Sequence, residues 1–239
     1  AASVDEVFRL TESGSATFGV VPVENSTEGG INTTLDRLLE TTLVICGEIE
    51  LRIEHCLLGH SGGQVPRLVM GHQQALAQCR HWLDTQLPGV ESIAVASNAE
   101  AARRAVQDSA AAAIAAKETA SLYRLAVLEE NIEDQPGNTT RFLALGKNPV
   151  GHSGRDKTSL VMSNTDRPGA LHELLAPLHE AGISMTRIES RPMRSGLWKY
   201  VFFIDLEGHR EDPSVREALT HMQREAAFFK ILGSYPRST

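Results

Sequence analysis

The chain has 239 residues, of which 41% are apolar and 22% charged; 23 basic and 30 acidic side chains leave a formal charge of −7. That length, with a mean hydropathy of −0.18, suits one large or two modest soluble domains and excludes a disordered or membrane-embedded chain. No run approaches the roughly 20 apolar residues that a spanning helix needs. Basic residues are scattered and aromatic residues make up only 5%, so nucleic acid is not expected as a partner. Cys46, Cys56 and Cys79 form an odd, unpatterned set, and the first five residues lack the basic start and apolar core of a signal peptide. A reducing, cytoplasmic setting is expected.

Residues 18–23 predict a short buried strand interrupted by Pro22, running into the turn-rich Glu24-Asn25-Ser26-Thr27-Glu28-Gly29-Gly30. A helix should follow, with Asn32 as its N-cap and Leu35, Leu38 and Leu39 on one face. Residues 43–58 read as extended, with Ile45, Ile49, Leu51 and Ile53 sharing a sheet face, a length suited to a strand crossing between two lobes. Strands at 67–70, 93–96 and Ala111–Ala115 then alternate with helices at 72–87, 98–106 and Lys117–Tyr123, an α/β order. Ser97 followed by Glu100 is a capping-box signature. A strand at 140–145 closes this region, and residues 148–155 are polar and without periodicity, as in a linker. Beyond it, strand 158–163, helix 168–181, strands 183–191 and 198–206, helix 213–227 and strand 228–233 give a ferredoxin-like βαββαβ order. Pro177 should kink the first of those helices.

Three blocks carry a family resemblance: residues 19–29 from Gly19 through Val23-Glu24-Asn25-Ser26-Thr27, then Asn138-Thr139-Thr140-Arg141-Phe142, then Gly169-Ala170-Leu171 with Glu189-Ser190-Arg191-Pro192. Together with residues 72–79, and in this order and spacing, they resemble prephenate dehydratase over nearly the whole chain. The resemblance implies an α/β catalytic domain of two lobes, like a periplasmic-type binding protein with substrate held in the cleft (residues 1–147). A linker (148–156) and a ferredoxin-like ACT regulatory domain (157–239) follow. It implies conversion of prephenate to phenylpyruvate with loss of carbon dioxide and water, no cofactor, and feedback inhibition by phenylalanine bound between ACT domains of a homodimer or homotetramer. Members of the family usually open with a Gly-Pro-x-Gly-Thr-Phe-type motif, and some carry a chorismate mutase domain before it. Neither is present here, so a catalytic lobe short of one strand and one helix is expected, next to a whole ACT domain.

The substrate ring becomes aromatic as the two groups leave, so a site needs a donor for the departing hydroxyl and a place where the ring carboxylate loses its charge readily. The resemblance makes Thr140 that donor, with Asn25 and Arg141 organising the substrate's polar and charged groups and Ser26, Thr27, His72 and Gln78 as substrate contacts. Gly71 and Gln73 depart from the serine and proline common in the family. The same resemblance assigns phenylalanine to Asp166, where the family often has asparagine, and to Gly169, Ala170, Leu171, Glu189, Ser190, Arg191 and Pro192. Taken alone, Thr140 reads as a β-branched strand residue and Arg141 as an ion-pair partner, while Asn25 to Thr27 read as turn residues. His55, His60, His81 and the three cysteines lack metal-ligand spacing, and no metal is expected. Two other functions stay open: an arogenate dehydratase, and a non-catalytic amino-acid sensor.

Overall fold

The computed structural model describes residues 1, 3–27, 29–62, 65–164, 167–192 and 200–238. Contacts divide the chain into two units, one made of Ala1–Leu51 with Thr140–Thr239 and the other of Arg52–Thr139.

In the first unit, Ser3 opens helix α1 (Val4–Ser13) by accepting the Glu6 N–H at 3.2 Å, and Phe8 and Thr11 are buried beneath it. Strand β1 (Gly19–Asn25), the short β2 (Gly29–Gly30) and helix α2 (Asn32–Glu40) follow, then β3 (Val44–Arg52). Asn32 is the first residue of α2 and not its cap; Ile31 holds that position without a side-chain bond. The entry is fixed instead by Thr34, whose hydroxyl donates to the Pro22 carbonyl at 2.6 Å. The run predicted at 43–58 is broken, because the Ile53 N–H goes to the Asn138 carbonyl at 2.7 Å and the His55 N–H to the Glu133 carboxylate at 3.0 Å. On β3, Ile45 is buried but Ile49 and Leu51 are 50% and 53% exposed, as an edge strand allows.

The second unit begins at that break. It comprises β4 (Cys56–Gly59), β5 (Leu68–His72), α3 (Gln73–Gln78), α4 (Arg80–Gln86), β6 (Glu91–Val95), α5 (Asn98–Ala105), β7 (Ala111–Ala115), α6 (Lys117–Tyr123) and β8 (Ala126–Glu129). Among the described residues its sheet runs β6-β5-β7-β4-β8, parallel across β6, β5 and β7 and antiparallel at β4. Ala111, Ala113 and Ala115 of β7 are buried against Ala101, Ala102 and Ala105 of α5, small side chains that let helix and strand approach closely. Ser97 caps α5 through the Glu100 N–H at 3.1 Å, as the motif predicts. The helix predicted at 72–87 divides at Cys79, where the Asp134 carboxylate takes the His81 and Trp82 N–H groups at 2.9 Å each and starts a new helix.

The chain returns to the first unit with β9 (Thr139–Gly146), which pairs antiparallel with β1 in a sheet of order β2-β1-β9-β3. Then come β10 (Asp156–Ser163), α7 (Ala170–Glu180), β11 (Met185–Pro192), β12 (Tyr200–Glu207), α8 (Pro213–Glu225) and β13 (Phe228–Pro236), the expected βαββαβ order. Helix α7 keeps a single span through Pro177. This antiparallel sheet, order β11-β12-β10-β13, is covered on both faces. Leu160, Met162, Ile204 and Leu206 meet α7 and α8 on one side. On the other, Val161, Phe203, Leu232 and Tyr235 share a core with Val21 and Leu143 of the first sheet and with Phe8 of α1 and Leu35 of α2. Lys230 on β13 reinforces the join: its ammonium donates to the carbonyls of Leu38, Leu39 and Thr41 at 2.7–3.1 Å, satisfying the last turn of α2.

Candidate functional site

The β1–β9 register is regular from Gly19 to Pro22 and then shifts: Pro22 opposes Phe142, but Glu24 opposes Arg141 and Asn25 opposes Thr140. Val23 is therefore an extra residue, a bulge beside a proline that has no N–H for the ladder. Without it, Asn25 would share the apolar face of Val21 and Val23. With it, Asn25 turns to the face of Phe142 and Thr140, while Glu24 joins Arg141 and Leu143 on the core face, since cross-strand partners share a face and neighbours alternate.

Asn25 and Thr140 form a buried, uncharged pair, 6% and 9% exposed. The Asn25 amide Nδ2 donates to Thr140 Oγ1 at 2.9 Å, and Asn25 Oδ1 accepts the Thr27 N–H at 3.0 Å, which sets the amide orientation. A hydroxyl that accepts from an amide has its own O–H polarised for donation. Ser26 and Thr27 continue from the pair as exposed turn residues.

One residue along each strand the chemistry changes. Arg141 donates through Nε to Glu48 at 2.8 Å, through Nη1 to Asp205 at 2.6 Å and through Nη2 to the Tyr235 hydroxyl at 3.0 Å, with Glu24 at 3.7 Å. Glu48 is also held by Lys157 at 2.8 Å, and Ser159 donates to Asp205, which leaves the Tyr235 hydroxyl to donate to Ser159 at 2.6 Å. Burial opposes the Arg141 charge, yet Asp205, Tyr235 and Glu48 outweigh it and push its pKa further up. Burial raises the Tyr235 phenol, as does Asp205. The space beside Arg141, Ser159, Arg187 and Asp205 is a cavity of about 10 Å³, room for at most one water. The structure thus places Arg141 on the opposite face from Asn25 and Thr140.

In the second unit, His72 caps α3: its Nδ1 accepts the Gln74 N–H at 3.4 Å, its own N–H goes to Asn98 at 2.8 Å, and its ring is exposed. Gln78 accepts from His55 Nε2 at 2.8 Å. That histidine is buried and its Nδ1 has no partner among the described residues. Burial pushes the Cys79 thiol up to about 12 and raises Cys56 as well, so neither is a ready thiolate ligand. His152, His209 and Glu211 bring ligand-type atoms within 4.8 Å. However, His209 spends Nδ1 on the Glu211 N–H at 3.2 Å and Nε2 on the Val150 carbonyl at 3.3 Å, so both ring nitrogens are already engaged.

The predicted effector residues lie on two elements. Gly169 precedes α7 with φ +80°, a left-handed position that disfavours a side chain; Ala170 is buried and Leu171 half-buried behind it. Asp166 lies outside the described residues. Glu189, Ser190, Arg191 and Pro192 end β11, and the face shared by Arg187, Glu189 and Arg191 turns to the first sheet. Arg187 bonds Glu24 at 3.0 Å and also pairs with Glu189, while Arg191 bonds Asp36 at 2.8 Å and the Asn32 carbonyl at 2.9 Å. A Cβ on Gly30 would collide with the Glu189 carboxylate.

The family model described as prephenate dehydratase matches residues 1–150, and that of the ACT domain matches residues 158–220. The chain belongs to the prephenate dehydratase family. It is 53% identical over 239 residues to the bifunctional chorismate mutase/prephenate dehydratase of Pseudomonas aeruginosa, with 99% of this chain covered. It spans only 66% of that relative's length. Among solved structures it resembles the prephenate dehydratase of Arthrobacter aurescens in complex with L-Phe (TM-score 0.87, 35% identity, 99% of this chain and 80% of the other). It also resembles GqqA, described as a quorum quenching acylase (TM-score 0.86, 30% identity, 100% of this chain and 88% of the other).

Of the expected dehydratase residues, the structure brings Asn25 and Thr140 together, keeps Ser26 and Thr27 next to them, and turns Arg141 away. Sequence reasoning gave no role to Glu24, which it quoted only as part of the first motif, or to Glu48, Arg187 and Asp205, and weighed His55 only as a metal ligand. The available signals were Glu24 inside the first motif and the period-2 charges at 187, 189 and 191.

Proposed function

We propose that this chain carries the dehydratase chemistry of its family: decarboxylating dehydration of prephenate to phenylpyruvate, a carbon–oxygen lyase reaction, with phenylalanine as feedback effector at the ACT domain. The observation that supports this most is the buried Asn25–Thr140 pair at 2.9 Å. As the ring carboxylate leaves as carbon dioxide, the electrons of its C–C bond enter the ring, and the C–O bond breaks at the far carbon. The departing hydroxyl gathers negative charge, accepts a proton and leaves as water. Thr140 donates its hydroxyl hydrogen bond to that oxygen, and Asn25, donating into Thr140 Oγ1, holds and polarises the donor. A threonine hydroxyl is a weak acid, so its part is a strong, oriented hydrogen bond or a relay of a proton, worth most where charge builds up. No cofactor enters this mechanism.

Ser26 and Thr27 are proposed substrate contacts next to the pair, and His72 and Gln78 are proposed contacts on the strength of the family resemblance. Phenylalanine is assigned to Asp166, Gly169, Ala170, Leu171 and residues 189–192, in a cytoplasmic homodimer or homotetramer. The test is product analysis by mass after separate incubation with prephenate and with arogenate. Phenylpyruvate from prephenate supports the proposal, and phenylalanine from arogenate alone changes the substrate. Binding without product leaves a sensor, and hydrolysis of an acyl amide with prephenate untouched would align the chain with the acylase.

A further inference from the structure

We infer that the ACT domain supplies positioning residues for the dehydratase site: Arg187 and Asp205, acting through Glu24 and Arg141, set the geometry of the Asn25–Thr140 pair. The inference rests on the dehydratase reading above. Glu24 and Arg141 immediately neighbour Asn25 and Thr140 on the same two strands, in consecutive register pairs. Each is gripped by a side chain of the ACT domain, Glu24 by Arg187 at 3.0 Å and Arg141 by Asp205 at 2.6 Å. A strand residue cannot shift along or across its sheet without carrying its neighbour, so the two grips together fix where β1 and β9 hold the amide and the hydroxyl.

The side chains involved are well buried, Arg187 and Arg141 at 11% exposure and Asp205 at 6%, whereas Glu24 is 37% exposed. Buried ion networks contribute little net stability compared with apolar packing, but removing one partner leaves an uncompensated buried charge, so the members of this network hold one another in place. Catalysis is sensitive to that geometry, because a misplacement of about 1 Å can cost about 10²-fold in rate. Arg187 also holds Glu189, which lies in the segment assigned to the effector and fills the space over Gly30 beside the first motif. The grip on Glu24 and the effector segment are therefore in direct contact.

The test measures kcat and KM for prephenate, with thermal midpoints, in wild type, Arg187→Met, Arg187→Lys, Glu24→Gln and the Arg187→Met/Glu24→Gln double variant. Arg187→Met is expected to lower kcat about tenfold with KM within about twofold, because a positioning loss is felt in the transition state. Arg187→Lys, which keeps the charge, should stay within about threefold of wild type, and the double variant should be no slower than the worse single one. The proposal is overturned by a wild-type kcat in Arg187→Met, by a change in KM alone, by no rescue in Arg187→Lys, or by multiplicative losses of about 100-fold in the double variant. Should Arg187→Met fail to fold, Glu24→Gln breaks the same pair from its more exposed end, and a wild-type kcat there overturns the proposal equally. A wild type that leaves prephenate untouched removes the dehydratase reading and this proposal with it; an active wild type with unaffected variants removes this proposal alone.

Discussion

Two residue pairs, one step apart on the same two strands, do opposite things. Asn25 and Thr140 are neutral and form a short donor chain, whereas Glu24 and Arg141 are charged and enter a network of carboxylates and cations that reaches the ACT sheet. A neutral pair suits a site where charge must develop during the reaction, since it has no preformed counter-charge to reorganise. A buried charged network suits holding a fixed geometry, because each partner left alone is costly. Thr140 and Arg141 are adjacent in one motif, yet the alternation of a strand sends them to different tasks.

Breaking the charged side should give the largest effect on stability. Asp205→Ala leaves Arg141 buried with one carboxylate fewer and is expected to cost about 3–5 kcal/mol in urea denaturation; a loss below about 1 kcal/mol would show that the network holds little. Breaking the neutral side should instead be felt in turnover. Thr140→Val is expected to lower kcat about 10²-fold, with a stability loss of only about 1 kcal/mol for the lost Asn25–Thr140 hydrogen bond. Gly30→Ala probes the contact between the first motif and β11: the new methyl meets the carboxylate end of the Glu189 side chain, so a cost of about 1 kcal/mol in thermal unfolding is expected, and an unchanged midpoint would remove that contact from the account. The smallest effect is expected at Asp156, the first residue of β10. Burial raises the Asp156 carboxyl, but the Ser153 and Gly154 donors more than offset this and hold its pKa below the usual range. That stability is fully present above the ordinary aspartate pKa of about 3.9 and is lost as pH falls through the lower folded value. The advantage of wild type over Asp156→Asn should therefore shrink on acidification below about pH 4; an advantage that grew there would reverse the sign.

Much of the frame was readable from residues in order. The alanine strand Ala111–Ala115, helix Lys117–Tyr123 and the Ser97 cap rest on local pattern and capping chemistry, and the structure reproduces them. The division of the helix at Cys79 was not readable, because its cause, the Asp134 carboxylate, lies 52–53 residues beyond the Trp82 and His81 N–H groups that it takes. The direction of Arg141 was hidden in the same way, its Asp205 partner being 64 residues away. The position of Asn25 was hidden by the bulge: simple alternation from Val21 and Val23 puts it on the apolar face, and only the register shift at Pro22 moves it. The two-sided burial of the ACT sheet did leave a trace, since Leu160, Val161 and Met162 are apolar in succession where a half-buried strand would alternate.

The most direct test of the division between the two faces is the kcat for prephenate of Thr140→Ser measured beside Thr140→Val, each with its urea midpoint. Serine keeps the hydroxyl that accepts from Asn25 and donates onward, so it should stay within about tenfold of wild type while valine loses about 10²-fold, with similar midpoints for both. Equal turnover in the two variants would contradict the assignment of the chemistry to the Thr140 hydroxyl.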